Sequence, residues 1–331
     1  SPHYGERWAR HWMDVARFGE SDGFEHDSDR PHAYHYRDFL IKAFNQDMPY
    51  DQFVRWQLAG DEMAPDDPLA LMATGFLVAG VFPTQLPEAE FESARYDQLD
   101  DMSGTTGVAF LGLSIGCARC HDHKFDPISE VDYYRLTSSF TTAIRSESEV
   151  PLNGENTKVL LCSEGVKPLK HHADGRGFPH FYKATHILKR GDVKLKQEVA
   201  TQGFLPVLMR PGRKASHWQR EAPGKDSKLS YRRSALGRWI TDPIDGAGHL
   251  AARVIVNRIW QFHFGQGLVT TPNDFGTQGE LPSHPELLDW LAHDLITHGW
   301  KLKRLHKQIM MSGVYQLSTA HQSRAAAIDD N

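Results

Sequence analysis

The stretch ERWARHWMDVARF, residues 6–18, sets the pattern for the first half of the chain. Trp8, Trp12 and Val15 recur at intervals of four and three residues, which places them on one side of an α-helix. The stretch therefore predicts an amphipathic helix over 6–18. Similar apolar patterns predict further helices over 51–58, 68–79, 88–116 with a break near Gly104, and 129–140.

Helical patterns return after Ser234. Residues 250–264 carry apolar side chains at helical spacing. Residues 283–286, Ser-His-Pro-Glu, have the form of a capping box with Pro in the first turn, which predicts the start of another helix. A final helix is predicted from the spacing of Leu302, Leu305 and Ile309.

The middle of the chain, residues 141–233, is rich in Gly, Pro, Lys and His. It contains three short β-like runs, at 158–161, 185–188 and 204–208. The predicted fold class is mainly α, with two helical lobes joined by an irregular segment that holds a few short β-strands. The predicted boundaries are 1–145 for the first helical domain, 146–233 for the linker or insert, 234–322 for the second helical domain and 323–331 for a frayed tail.

The composition excludes several broad classes. A chain of 331 residues with 40% hydrophobic and 24% charged residues can bury a core, so whole-chain disorder is excluded. The net charge of -5 argues against a nucleic-acid partner. The longest nearly apolar run, Ala73 to Phe82, is far shorter than the roughly 20 residues of a membrane span. Three cysteines do not make a disulfide scaffold.

Residues 117–121, Cys-Ala-Arg-Cys-His, form a CxxCH motif, the attachment signature of c-type haem. Two thiols three residues apart on one helical turn can reach the two vinyl groups at one edge of a porphyrin. The following imidazole then lies under the iron as an axial ligand. The motif therefore predicts haem c bound through Cys117, Cys120 and His121.

The same residues leave alternatives open. A structural zinc ion would need four tetrahedral ligands, and the four candidates are crowded into residues 117–123: Cys117, Cys120, His121 and His123. A thioredoxin-like redox pair expects a βαβ neighbourhood, which the helical pattern before Cys117 does not offer. A third alternative is a CxxCH sequence in an inert structural loop.

A second histidine and two acids follow the motif. His123 lies only two residues beyond His121, too close to be the opposite axial ligand of one iron. It is either a hydrogen-bonded loop residue, a proton shuttle, or a ligand of a second ion together with Asp126. The best candidate for a sixth ligand of the haem iron is His11, whose alternative is a hydrogen-bonded core histidine. Other candidates for that ligand are Met72 and Met102.

Three other polar features have structural interpretations. The acidic stretch after the first helix lacks EF-hand spacing and predicts a solvated turn rather than a calcium site; it comprises Asp22, Glu25, His26, Asp27 and Asp29. A buried polar network that fastens the second lobe is predicted from Asn257, Arg258, Asp274 and Gly276. Cys162 is predicted to be an isolated, inert thiol.

Long stretches of the chain resemble two families. YGERWARHWMDVARF (4–18), RPHAYHYRDFLIKAFNQDMPYDQFVRWQLAGD (30–61) and LGLSIGCARCHDHKFDPIS (111–129) are similar to the planctomycete cytochrome-c-like domain of unknown function. ARVIVNRIWQFHFGQGLVTTPNDFGTQGELPSHPELLDWLA (252–292) resembles its usual partner, the planctomycete secreted domain of unknown function. Cys117, Cys120 and His121 match the proposed haem motif of the first family position by position.

This resemblance implies an exported bacterial protein, either periplasmic or secreted. Relatives carry further sequence before residue 1 and after the last helix, so the resemblance also implies that the chain is part of a longer protein. An upstream cytochrome domain that is common in relatives is not in this sequence.

The combined prediction is an exported c-type haem protein that transfers electrons or acts as a haem-dependent oxidoreductase, with a redox partner protein or a small-molecule substrate. One alternative is a non-haem metal protein, related to extracellular polysaccharide, that binds zinc or calcium through His121, His123 and Asp126. The other is a structural or interaction module without chemistry.

Overall fold

A computed structural model describes residues 1–25, 27–164, 184–220 and 229–317. The helices of the first lobe are α1 Tyr4–Ala16, α2 Tyr34–Asn45, α3 Tyr50–Met63, α4 Pro68–Ala73, α5 Phe91–Thr106 and α6 Glu130–Thr137. Short helical turns connect them at Thr74–Val78, Glu88–Glu90, Gly107–Leu111, Ile115–Arg119 and Ser138–Phe140. The helices of the second lobe are α7 Arg232–Thr241, α8 Gly248–Phe264, α9 Pro285–Thr297 and α10 Leu302–Met310. The mainly α class is confirmed.

Two small antiparallel sheets lie between the lobes in sequence. The first is a hairpin of β1 Ile144–Leu152 and β2 Glu155–Ser163. Its two-residue turn, Asn153-Gly154, has positive φ at both positions, as expected for the tightest hairpin turns. The second sheet pairs β3 His186–Leu188 with β4 Lys196–Val199.

Helix α1 packs through a stripe that includes small residues. Its buried positions are Gly5, Ala9, Trp12 and Ala16, whereas Trp8 and Val15 of the predicted stripe are only half-buried. Gly5 allows α2 to approach closely, because a Cβ there would lie 2.3 Å from the carbonyl oxygen of Ile41. The helix is confirmed, and its deepest face lies beside the predicted one.

The two lobes share one hydrophobic core. Helix α3 of the first lobe packs along α7 of the second, and buried apolar residues form a single cluster that runs through both lobes. The side-chain amide of Gln57 lies inside this core, and its Oε1 accepts hydrogen bonds from Trp12 Nε1 and Tyr36 OH at 2.7 Å each. The lobes therefore fold against each other.

The predicted break near Gly104 is wrong. Helix α5 passes through Gly104 and changes character at Gly107, where one wider π-helical turn, Gly107–Leu111, follows. The chain leaves this turn at Gly112, whose φ of +58° is the left-handed conformation that glycine adopts without strain. Gly112, rather than Gly104, is thus the glycine at which this helical stretch ends before the CxxCH turn.

Two local predictions in the middle and second lobe are also wrong. The run 204–208 is not a strand, because Pro206–Leu208 forms a 3₁₀ turn. Phe204 and Leu205, which precede the turn, are buried, and Phe204 packs on Trp218 and Trp239. Ser283 is not a helix cap either. Its backbone N–H donates to Leu268 O at 2.8 Å, and α9 begins after His284 without a side-chain cap.

The acidic stretch after α1 is not simply a solvated turn. Asp22 is buried, and its Oδ1 accepts from Arg30 at 2.8 Å and from Arg145 of β1 at 2.9 Å. Glu25, Asp27 and Asp29 are exposed, and His26 lies outside the described residues, as does the predicted tail 323–331. No helix within the described ranges combines the length and apolarity that crossing a bilayer requires.

Candidate haem attachment site

The CxxCH motif lies on a 3₁₀ turn at the surface of the first lobe. Ile115 and Ala118 are buried and anchor the turn Ile115–Arg119. Cys117 and Cys120 are exposed free thiols. Cys117 lies within this turn, and Cys120 is the residue that directly follows it.

His121 is oriented by its own backbone neighbour. The imidazole is exposed, and its Nδ1 lies 2.7 Å from the carbonyl oxygen of Asp122. A carbonyl only accepts hydrogen bonds, so Nδ1 carries the proton and Nε2 keeps its lone pair. Metal-binding histidines commonly use this second hydrogen bond to fix the ring and the tautomer. His121 can therefore offer Nε2 to an iron.

Arg119 fastens the turn to the helices below it. Its guanidinium donates to Asp97 at 2.6 Å and to Asp100 at 3.3 Å, both on α5. On α6, Tyr134 OH donates to the carbonyl oxygen of Arg119 at 2.9 Å. The neighbouring Tyr133 donates to Asp100, and burial together with that carboxylate raises the pKa of its phenol. Arg119, one of the two residues between the cysteines, thus holds the motif in place.

The residues after the motif form a hydrogen-bonded loop. His123 Nδ1 accepts from the backbone N–H of Asp126 at 2.8 Å, and the His123 N–H donates to Ile128 O at 2.8 Å. Asp126 Oδ1 accepts from Thr277 of the second lobe, from the backbone N–H at 2.7 Å and from the hydroxyl at 2.9 Å. Of the three candidate ligands of a non-haem ion, His123 thus has its Nδ1 and Asp126 its Oδ1 bonded to protein atoms.

The ligand atoms of the motif region do not converge on one point. Of the candidate residues Cys117, Cys120, His121, His123 and Asp126, no three have ligand atoms within 4.8 Å of one another. A tetrahedral zinc site brings its ligands to about 2.0–2.3 Å from one ion, so it would require rearrangement. Haem c requires no such convergence, because its sulfurs bind the porphyrin edge and its imidazole binds the iron.

One group elsewhere in the described residues does converge: His217, Asp242 and Asp245. Asp245 is paired with Arg213 at 3.0 Å, and Asp242 accepts from Trp218 Nε1 at 2.9 Å. These carboxylates already have partners within the protein.

His11 has different neighbours from His121. Its ring stacks on Phe262 of α8 with 3.7 Å between centroids and meets Trp8 edge-on, beside a small apolar cavity between the lobes. The CxxCH turn instead packs on α5 and α6. Burial lowers the pKa of His11. The other two candidates for a sixth ligand, Met72 and Met102, are buried in the core.

A histidine pair near His11 carried no signal in the sequence. His263 Nε2 and His306 Nδ1 lie 2.9 Å apart, joining α8 to α10, and the His306 ring packs on Trp8. The Nε2 atom of His306 is buried without a hydrogen-bond partner, and burial lowers the pKa of His306 to about 3. Only the fold brings these two rings together.

A buried charge cluster joins the lobes. Arg233 of α7 is wholly buried and pairs with Asp61 and Glu62 of α3, and Glu164 also faces it. Burial, opposed by Arg233, raises the pKa of Glu62 to about 7. Cys162 is buried nearby, and burial raises the pKa of its thiol to about 12, in agreement with the prediction of an inert residue.

The predicted polar network of the second lobe divides into separate contacts. Asn257 Nδ2 donates to the carbonyl oxygen of Val269 at 2.9 Å, and Asn257 Oδ1 accepts from the Val269 N–H at 2.8 Å. Asp274 Oδ1 accepts from the Gly276 N–H at 2.9 Å. Arg258 reaches across to the first lobe, where it donates to the carbonyl oxygens of Val108 and Ala109.

Comparison with family models finds two successive domains. Residues 1–145 match PSCyt2, described as a protein of unknown function (DUF1549). Residues 232–331 match PSD1, described as a protein of unknown function (DUF1553). The chain thus carries a PSCyt2 match followed by a PSD1 match, called the PSCyt2 and PSD1 domains below, in the order that the sequence resemblance predicts. Searches of curated proteins and of solved structures give no significant match.

Proposed function

We propose that the protein is an exported c-type haem protein that transfers electrons to or from a partner. In this proposal Cys117 and Cys120 would hold the porphyrin through thioether bonds, and His121 would bind its iron. The observation that carries the proposal is the hydrogen bond from His121 Nδ1 to Asp122 O, which leaves Nε2 available beside two exposed thiols. The family name PSCyt2 points in the same direction.

Attachment needs only the two thiols and two vinyl groups. Each Cys Sγ forms a bond to one vinyl carbon while the thiol hydrogen goes to the other carbon of the double bond, so no oxidant is consumed. The bound haem would supply a one-electron redox centre. The Arg119 ion pairs keep the thiols in place. The exposure of both thiols and of His121 favours a haem edge near the surface, within reach of a redox partner.

The test is expression in a host that matures c-type cytochromes. The purified protein is expected to show a Soret band and to keep a mass increase of one haem after denaturation. Cys117→Ser combined with Cys120→Ser should abolish the covalent mass increase, while Cys162→Ser, a control at the buried thiol, should retain it. A colourless protein of unmodified mass, from cells that mature a control cytochrome, would refute the proposal.

Elemental analysis of the same preparations separates the alternatives. One iron per chain supports the haem proposal. Stoichiometric zinc or calcium without iron contradicts it and supports a non-haem site at His121, His123 and Asp126. A protein without any metal, whose Cys117→Ser and His121→Ala variants behave like the wild type, contradicts both and supports an interaction module.

A further inference from the structure

One loop of the PSD1 domain, residues 271–279, contacts both ends of residues 112–126, the stretch around the CxxCH motif that is called the CxxCH segment below. At the upstream end, the Phe275 N–H donates to the carbonyl oxygen of Gly112 at 2.7 Å. The Phe275 ring lies over the same glycine, where a Cβ would come within 2.8 Å of Cδ2. Gly112 is the left-handed residue at which the chain turns toward the motif. Any side chain at this position would displace the aromatic ring.

At the downstream end, the same loop contacts Asp126. Thr277 donates to Oδ1 of Asp126 from both its N–H and its hydroxyl. The preceding Gly276 lies so close that a Cβ there would be 2.4 Å from Oδ2. Asp126 also holds His123 through its backbone N–H, which donates to Nδ1 at 2.8 Å. The contact is thus relayed to the residues that directly follow the motif.

Arg258 of α8 adds a third contact between the domains. Its guanidinium donates to the carbonyl oxygens of Val108 (2.7 Å) and Ala109, near the end of the helix that leads to Gly112. The Val108 oxygen also accepts from the Gly112 N–H at 3.3 Å, and a cation near a helix C-terminus is favourable. Asn273 Oδ1 accepts from the same guanidinium at 3.2 Å.

The loop that makes these contacts is itself cross-linked. Thr271 Oγ1 donates to Asp274 O at 2.8 Å and accepts from the Glu280 N–H at 3.0 Å. Asp274 Oδ1 accepts from Gly276 N, and Gly279 N–H donates to Gly276 O at 3.1 Å. Because these bonds close the loop on itself, it can hold two separate points of another domain at a fixed spacing.

We propose that loop 271–279 is a clamp that fixes both ends of the CxxCH segment, and that Thr277 is a positioning residue for the motif. The PSD1 domain is then part of the site that the PSCyt2 domain carries. The claim that this clamp matters for haem rests on the proposed function. The claim that it holds the backbone of the CxxCH segment in place does not.

The test uses Thr277→Val, which removes the hydroxyl donor and keeps the shape. The control is Thr241→Val, another exchange at an interdomain hydrogen bond, where Thr241 Oγ1 accepts from Arg55 Nε at 2.7 Å. Hydrogen exchange is measured on the haem-free protein at the amides of His123, Asp126 and Ile128. Loss of a hydrogen bond to a carboxylate should speed their exchange roughly tenfold in Thr277→Val. Thr277→Ser should restore the wild-type rates, and Thr241→Val should leave them unchanged.

Unchanged exchange at these amides in Thr277→Val, or equal acceleration in Thr241→Val, would overturn the clamp. On the haem-loaded protein, Thr277→Val should shift the reduction potential or the visible spectrum relative to Thr277→Ser. If wild-type protein takes up no haem, the proposed function fails while the exchange result still decides the clamp. If the wild type attaches haem and Thr277→Val exchanges these amides at the wild-type rate, the clamp fails and the haem proposal stands.

Discussion

Arg233 and Asp61 form a bidentate ion pair in which Nη1–Oδ1 is 2.8 Å and Nη2–Oδ2 is 2.7 Å. The two residues belong to different domains, and Arg233 is shielded completely from solvent. Removing one member of such a pair leaves the other charge buried without compensation, which costs far more than breaking an ion pair at the surface.

Arg233→Met is therefore expected to lower the free energy of unfolding by about 3–5 kcal/mol. Urea denaturation followed by circular dichroism measures this loss. The matched control is Arg253→Met, which breaks the surface pair with Asp289 and should cost about 1 kcal/mol or less. Equal effects of the two substitutions would show that Arg233 does not carry the domain contact.

Glu62 is expected to make the protein less stable as pH rises through the acidic range. Burial raises its pKa from an ordinary value near 4.5 to about 7. Between these pH values the unfolded chain releases the proton that the folded chain keeps, so the free energy of unfolding falls as pH increases. Glu62→Gln should remove this fall, whereas Glu149→Gln at an exposed position of β1 should retain it. Urea unfolding midpoints measured from pH 4.5 to 8 test this expectation. If Glu62→Gln has the same pH dependence as the wild type, Glu62 is not the group that causes the fall.

His306 is expected to make the protein more stable as pH rises, the opposite of the effect of Glu62. Burial lowers its pKa from 6.5 to about 3, so the unfolded chain binds a proton in this window that the folded chain does not. The free energy of unfolding therefore rises as pH increases from 3 to 6.5, and the contribution of His306 to it is lost on acidification. His306→Gln should weaken this dependence, as measured by acid unfolding, and His284→Gln at an exposed position should not. An identical acid midpoint in both variants would argue against the buried imidazole.

The three thiols should fall into two reactivity classes. Cys117 and Cys120 are exposed, while burial raises the pKa of Cys162 to about 12 and withholds its thiolate. A thiol reagent at pH 8 should modify Cys117 and Cys120 of the haem-free native protein, and Cys162 only after denaturation. Protein with attached haem should show no fast-reacting thiol, because thioether bonds occupy both sulfurs. Rapid modification of Cys162 in the native state would contradict the packing of β2.

The helices of this protein follow from local sequence, because apolar periodicity acts over a few residues. The final helix with Leu302, Leu305 and Ile309 on its buried side is confirmed, and so is the helix around 250–264. Predictions failed where a distant residue decides the local structure. The chain turns at Gly112 rather than Gly104, where Phe275 of the other domain bonds the backbone.

In the candidate site, too, the local part can be predicted from the sequence and the long-range contacts cannot. The CxxCH motif that contains Cys117, Cys120 and His121 is visible in five consecutive residues. The contact between Asp126 and Thr277 spans 151 positions, and that between His263 and His306 spans 43. No local pattern marks such pairs, since both members are ordinary polar residues until the fold joins them.

The outward position of the two thiols bears on how a modifying enzyme would reach them. The turn is anchored by Ile115 and Ala118, whose side chains belong to the shared core, while both cysteines are exposed. If haem is attached as proposed above, such an enzyme would reach both sulfurs from solvent in the folded chain.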